Sequence, residues 1–289
     1  MPTTQAPVTG TAGGVPFLAL PPLVPHLSAP IVVAWHLMDP PRTEAAFAAA
    51  LPLRGLNAWR VYWGLPMCGA RLPAGGVEEL MQLGYQDAVL NLQGPIATQA
   101  AQEFPAALDE LRDRLGLGDG QLAVLGGSMG AAVAQLVLVE TAPAAGLAVH
   151  AAVLVSPLTR LRPAVDALGR RFGVQYPWGP ESLEVARRLD FASRAAEFVS
   201  AGQPAVRLVV GEDDDAEGFL QPAEQLHAAL TTAYADPARV DLVVVPAMEH
   251  ALAEEPGVDP APQTPAAATV DQHAVDWLTT HLLGMDNTA

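Results

Sequence analysis

Short apolar runs recur along the chain without the polar alternation of a strand that faces water on one side. Ile31–Trp35, Trp59–Trp63, Leu122–Leu125, Ala151–Val155, Val206–Val210 and Leu242–Val245 are β-branched or aromatic in this way. Such runs fit strands buried on both faces of a parallel sheet. Val15–Leu20, closed by Pro21-Pro22, is an earlier strand candidate, and residues 1–14, rich in Thr, Gly and Pro, read as a loose start. Between the strands, Thr43–Leu51, Phe104–Leu115, Ala131–Glu140 and Glu224–Ala233 place apolar residues three and four apart, the helical period. Alternation of strand and helix predicts an α/β fold: a doubly wound, mostly parallel sheet of about seven or eight strands with right-handed crossovers.

Three stretches depart from this rhythm. Val77–Leu92 reads as helix in its first half, whereas its second half fits helix or strand, and Gly94-Pro95 is expected to break either. The connection of about 157–204 is too long for a turn and predicts a small helical cap insertion, with the aromatic, turn-rich Phe172–Trp178 at its centre. Pro256–Pro265 reads as a surface loop before a last helix carrying Val270–Leu283. The expected organisation is one domain over residues 15–289 after the loose segment.

Composition narrows the chemistry. The chain has 289 residues and is 51% hydrophobic, sufficient for a sizeable core. Its formal net charge of −16 would repel a phosphate backbone, so nucleic acid is not expected as a partner. All 15 basic residues are Arg, which excludes Schiff-base chemistry and a P-loop lysine. Cys68 is the only cysteine and reads as a small buried thiol, leaving no intrachain disulfide and no multi-cysteine zinc site. The first Arg is Arg42, no apolar run reaches membrane-spanning length, and a cytoplasmic protein with no membrane partner is the expectation.

The sharpest motif is Gly126-Gly127-Ser128-Met129-Gly130. It follows the run Leu122–Leu125 and precedes Ala131–Leu136, a good helix former. This is GxSxG between a buried strand and a helix, a turn that lifts a serine Oγ above the sheet edge at a helix N-terminus. A glycine-rich turn can also serve close packing or hold a phosphate. A serine nucleophile further requires a positioned base. Val206–Val210 runs into Gly211-Glu212-Asp213-Asp214-Asp215, and Leu242–Val245 is followed by His250, so carboxylates and an imidazole each follow a strand. Open α/β sheets place their ligands at that edge. Ser128, an Asp of 213–215 and His250 fall in the chain order nucleophile, acid, base. A run of Asp can equally be a solvated loop. His26, His36, His150, His227, His273 and His281 are weaker candidates for the base. An oxyanion hole would draw on the backbone N–H of Met129 and on the loop Trp35–Asp39, through Met38 or Leu37.

With these elements in place, the chain from about Val15 to Leu283 resembles the α/β-hydrolase superfamily, in the style of bacterial esterases and of dienelactone-hydrolase or prolyl-oligopeptidase-like members. Catalytic acids there often follow a glycine and two residues, and Gly211-Glu-Asp-Asp214 matches that spacing, which favours Asp214. The family's usual His-Gly after the third strand is His36-Leu37 here, and Gly64–Arg71 resembles the loop after the fourth strand. The resemblance implies a Ser-His-Asp acyl-enzyme mechanism with no cofactor and no metal. The apolar residues Trp35, Tyr176 and Trp178 are the expected substrate-binding set, which suggests a small, largely uncharged ester or related acyl substrate. Two other readings are a peptidase or aminoacyl-ester hydrolase, for which no amine-anchoring group is assigned, and a non-catalytic binding scaffold. The sequence carries no signal of oligomeric state.

Overall fold

The computed structural model describes residues 6–283. Eight strands form one sheet: β1 (Val8–Ala12), β2 (Val15–Leu20), β3 (Ile31–Trp35), β4 (Trp59–Trp63), β5 (Leu122–Gly127), β6 (Val149–Val155), β7 (Ala205–Gly211) and β8 (Val240–Val245). Their order is β1-β2-β4-β3-β5-β6-β7-β8, with β1, β2 and β4 pairing antiparallel and the strands from β4 to β8 parallel.

The missing polar alternation has a direct cause. Ile31, Val33, Trp35 and Val124 pack into a core on one face of the sheet, while Val32, Ala34, Ala123 and Leu125 pack into a second core on the other. Both faces are dry, so both sets of alternating side chains are apolar. Helices Gly94–Leu115, Met129–Leu136 and Gln221–Ala233 contribute to the first core. Helices Glu44–Ala50 and Pro265–Leu282 contribute to the second.

Two sequence expectations change. The segment 1–14 was expected to be loose; its residues 1–5 and the last six residues, 284–289, lie outside the described residues, but Val8–Ala12 is an edge strand that pairs with Val15–Leu20 residue for residue. Gly13 and Gly14, both at positive φ (55° and 78°), make the two-residue hairpin turn that Thr- and Val-containing flanks can use. Gly94-Pro95 does not break the chain's helix; Pro95 stands just after the wider turn at Val89–Gln93, where the regular hydrogen-bond ladder is already interrupted. The ambiguous stretch before it is helical throughout, as Gly76–Asp87 followed by a wider turn at Val89–Gln93.

Between β6 and β7, where the sequence suggested a cap, the chain forms helices Leu161–Phe172, Pro180–Arg188 and Ala195–Ser200. They are tied to the main layer by Glu140, which accepts from Arg188 (2.6 Å) and Arg194 (2.9 Å).

The sheet reverses direction around β3: the chain moves outward to β4 on one side and to β5 on the other. Such a switch point opens a crevice beyond the carboxyl ends of the two strands. Here those ends are Trp35 and Gly127, so the crevice is floored by the loop 36–39 and the turn at Ser128. The turn tolerates no extra atom. A Cβ on Gly130 would lie 2.2 Å from the Trp35 carbonyl oxygen and 2.5 Å from that of His36, and one on Gly126 would lie 2.2 Å from the Gly130 carbonyl oxygen. Backbone cannot yield as a flexible side chain does, so Gly130→Ala should destabilise the protein by about 1–3 kcal/mol, read as a lowered urea midpoint with an unchanged m-value.

Candidate active site

Ser128 occupies the strained position of the turn, at φ 48° and ψ −110°. Its N–H donates to Val155 O (2.9 Å), and its carbonyl accepts from Ala131, Ala132 and, across the crevice, Leu158. These bonds from β6 and the following loop hold a conformation that costs on the order of 1–3 kcal/mol in isolation. The Met129 amide lies in the first helical turn, where backbone donors have no intrahelical acceptor.

The acid-bearing strand reaches the same edge by another close approach. A Cβ on Gly211 would sit 2.1 Å from Met248 O, and Glu212 N–H and Asp213 N–H donate to Val245 O and Met248 O. The loop after β8 is thereby pressed onto the end of β7, which sets Asp214 beside His250. Asp213 and Asp215 are exposed and Asp214 is buried, which separates the three carboxylates that the sequence left open. Asp214 Oδ1 accepts from the Asp215 amide, and Oδ2 lies 2.8 Å from His250 Nδ1. Asp215 caps the next turn, accepting from Glu217 and Gly218 N–H.

His250 Nε2 lies 2.9 Å from Ser128 Oγ. A carboxylate only accepts, so Nδ1 carries the proton and Nε2 accepts from the serine hydroxyl. Burial works against a charge on His250, but the hydrogen bond and charge of Asp214, with the charge of Asp39, outweigh it and raise its pKa above the ordinary value of 6.5. Three of the residues expected from sequence, Ser128, Asp214 and His250, are thus brought into one hydrogen-bonded chain.

The loop after β3 is built around His36. Its Nδ1 donates to Leu37 O (2.6 Å) and its Nε2 accepts from Leu65 N–H (3.1 Å). Desolvation of the fully buried ring lowers its pKa to about 4 despite the Leu37 contact, so it stays neutral. In a trans peptide the carbonyl and the following N–H point in opposite directions. Holding Leu37 O therefore directs the Met38 N–H away from His36; Leu37 itself is buried and Met38 is half-buried against the first core.

The expected aromatic substrate set is not assembled here. Trp35 is 1% exposed and packs edge-on against Trp63 and against Phe104, within the core. Tyr176 donates to Asp87 (2.6 Å) and Trp178 to Asp166 (2.8 Å), and among the described residues neither makes a hydrogen bond or ring contact with Ser128 or His250. Two residues that sequence reasoning missed do contact His250. Phe219 lies tilted by 47° against its ring, with centroids 4.1 Å apart, and an Asp39 carboxylate oxygen lies 3.8 Å from its Nε2. Phe219 is carried by the turn that Asp215 caps, so the solvent-facing Asp of the acidic run has a local role that spacing alone did not signal.

Among the described residues no group of His, Cys, Asp and Glu could hold a metal ion, and no helix is long and apolar enough to cross a membrane. Cys68 is buried, with its pKa pushed up to about 12 by desolvation.

No protein-family model and no curated protein sequence matches the chain. Solved structures do. TT1662 from Thermus thermophilus superposes with a TM-score of 0.64 at 19% identity, covering 96% of this chain and 99% of that one. A puromycin-hydrolyzing peptidase of Mycobacterium tuberculosis matches with a TM-score of 0.63 at 15% identity, over 98% of this chain and 41% of its own. Carboxyl esterase 2 of Tuber melanosporum matches with a TM-score of 0.56 at 15% identity, over 95% and 86%. Sheet order, switch point and these structural likenesses converge: the chain has the α/β-hydrolase fold.

Proposed function

We propose that this protein is a serine hydrolase that cleaves a carboxylic ester or related acyl bond through an acyl-enzyme. The observation that carries the reading is the position of His250, within hydrogen-bond reach of both Ser128 Oγ (2.9 Å) and Asp214 Oδ2 (2.8 Å). That is the nucleophile–base–orienter arrangement acyl transfer requires.

In this reading Ser128 Oγ attacks the carbonyl carbon while its proton passes to His250 Nε2. The carbonyl oxygen becomes an alkoxide facing the N–H groups of Met129 and Met38. Each such donor is worth on the order of 3–4 kcal/mol of barrier. Asp214 keeps the proton of the neutral ring on Nδ1 and stabilises the imidazolium. Collapse expels the leaving group, whose oxygen takes the proton from Nε2. Water then attacks the acyl-serine, His250 taking its proton, and the acid and free Ser128 are released. The dry surroundings of Ser128, with Leu37 and Met129 buried beside it, increase the weight of each fixed dipole.

A fluorophosphonate probe should label the native protein, and Ser128→Ala should abolish labelling while the protein remains folded by circular dichroism. Labelling of both forms alike would place the nucleophile elsewhere. The base must be neutral to accept the serine proton, so the labelling rate should fall as pH drops through a pKa above 6.5, since Asp214 and Asp39 together raise that of His250. Asp39→Asn removes one raising charge, and the acidic limb should move to lower pH; an unmoved limb would show that Asp39 does not act on His250.

A further inference from the structure

Asp39 stands on the open side of the Ser128–His250 pair. Its side chain is 55% exposed, against 2% for Asp214 and 19% for His250. Among the described residues, the 3.8 Å approach to His250 Nε2 is the one polar contact its carboxylate makes. The nearest arginine in sequence, Arg42, is turned to Glu255 at 2.8 Å. The other arginines that form ion pairs, from Arg71 to Arg207, close on other carboxylates.

This placement is built into the backbone. Leu252 N–H donates to Pro40 O (3.0 Å) and Arg42 N–H donates to Gly257 O (2.7 Å), stapling the loop that carries Asp39 to the loop that carries His250. A Cβ on Gly257 would meet Pro40 at 2.5 Å, so the two loops touch at van der Waals distance. An uncompensated carboxylate is therefore held beside the reacting atoms by the same segment that offers the Met38 amide.

We infer that Asp39 is a specificity residue that binds a cationic group on the leaving-group side of the substrate, so that the preferred substrates are esters of amino or quaternary-ammonium alcohols. The assignment rests on the serine-hydrolase reading above. Its geometry follows from Nε2, the atom that hands its proton to the leaving oxygen. A leaving oxygen within hydrogen-bond reach of Nε2 lies on the side of the site where the Asp39 carboxylate stands, and an ammonium two carbons beyond that oxygen can reach the carboxylate. In the free protein the same charge faces the His250 ring; a substrate cation takes its place when bound.

The test compares two isosteric acetate esters, one with a 2-(trimethylammonio)ethyl leaving group and one with a 3,3-dimethylbutyl leaving group, in native protein and in Asp39→Asn. The ratio of the two kcat/KM values is read, because any change in His250 acts on both esters and cancels. The native ratio should favour the cation by about fivefold or more, the scale of a partly exposed ion pair, and should fall to near one in Asp39→Asn. Raising salt from 20 to 500 mM should lower the native ratio and leave the variant's unchanged. A native ratio near one, or a preference that survives in Asp39→Asn, would overturn the assignment. So would a preference found only for an ammonium on the acyl side, measured with glycine and acetate esters of one neutral alcohol. Hydrolysis of the neutral ester by Ser128 with no cation preference sinks the Asp39 assignment alone; loss of all reaction at Ser128 would overturn the serine-hydrolase reading and this one with it.

Discussion

Everything at this site depends on backbone segments that approach more closely than any side chain would permit. Gly130 lies against the carbonyls of Trp35 and His36, Gly126 against the carbonyl of Gly130, and Gly211 against the carbonyl of Met248. The first contact presses the serine turn onto the end of β3 and its loop, the second closes the turn on itself, and the third presses the loop from β8 onto the end of β7. Side-chain chemistry is then arranged by default. Ser128, Asp214 and His250 come from segments 36 to 122 residues apart along the chain, yet they meet within 3 Å because their backbones are held in contact. Additional staples, Ser128 N–H to Val155 O and Leu252 N–H to Pro40 O, close the ring of loops. Pre-organisation of this kind is where an enzyme of this chemistry gains most, since fixed dipoles need no reorientation as charge develops.

The two histidines of the crevice show how burial and partners divide the work. His36 is fully buried and contacts only backbone, so desolvation dominates and the ring stays neutral as a structural bracket. His250 is also largely enclosed, but it faces two carboxylates, and their attraction for the charged form outweighs desolvation. One ring is made hard to protonate and the other easier, by the same two physical effects in different proportion. The proposed base is thus the histidine with an anionic partner, and the histidine that precedes it by 214 positions braces the loop after β3.

Much of this was legible in the sequence because the constraints act locally. Strands buried on both faces leave unbroken apolar runs, so β2 to β8 could be read from their composition. Glycines at positions 126 and 130 marked close approaches before the partners of those approaches were known, whereas Gly211 was read only for its spacing to Asp214. The carboxylate that meets His250 was favoured by spacing but stood among three; burial separates Asp214 from its neighbours, and burial depends on how the β8 loop packs. Trp35, expected to face substrate, lies in the core for the same reason. Trp35 ends a strand, and periodicity cannot distinguish a tryptophan that faces the crevice from one that faces Phe104 and Trp63. Asp39 and Phe219 left no signal, because their relation to His250 arises from loops joined by backbone hydrogen bonds between distant segments. The β1 strand had a signal, the Gly13-Gly14 turn between Thr and Val flanks, which its polar composition masked.

Before any substrate binds, the Asp214 carboxylate, held in place by the fold, sets His250 as a neutral acceptor toward Ser128. The most direct measurement is the ¹⁵N spectrum of imidazole-labelled protein near pH 8, with His250→Gln used to assign the resonances. The account predicts that His250 is the Nδ1–H tautomer, with Nε2 unprotonated and coupled to the serine hydroxyl, and that Asp214→Asn shifts it away from that state. An Nε2–H tautomer for His250 in the native protein, or a fast average of the two, would contradict it.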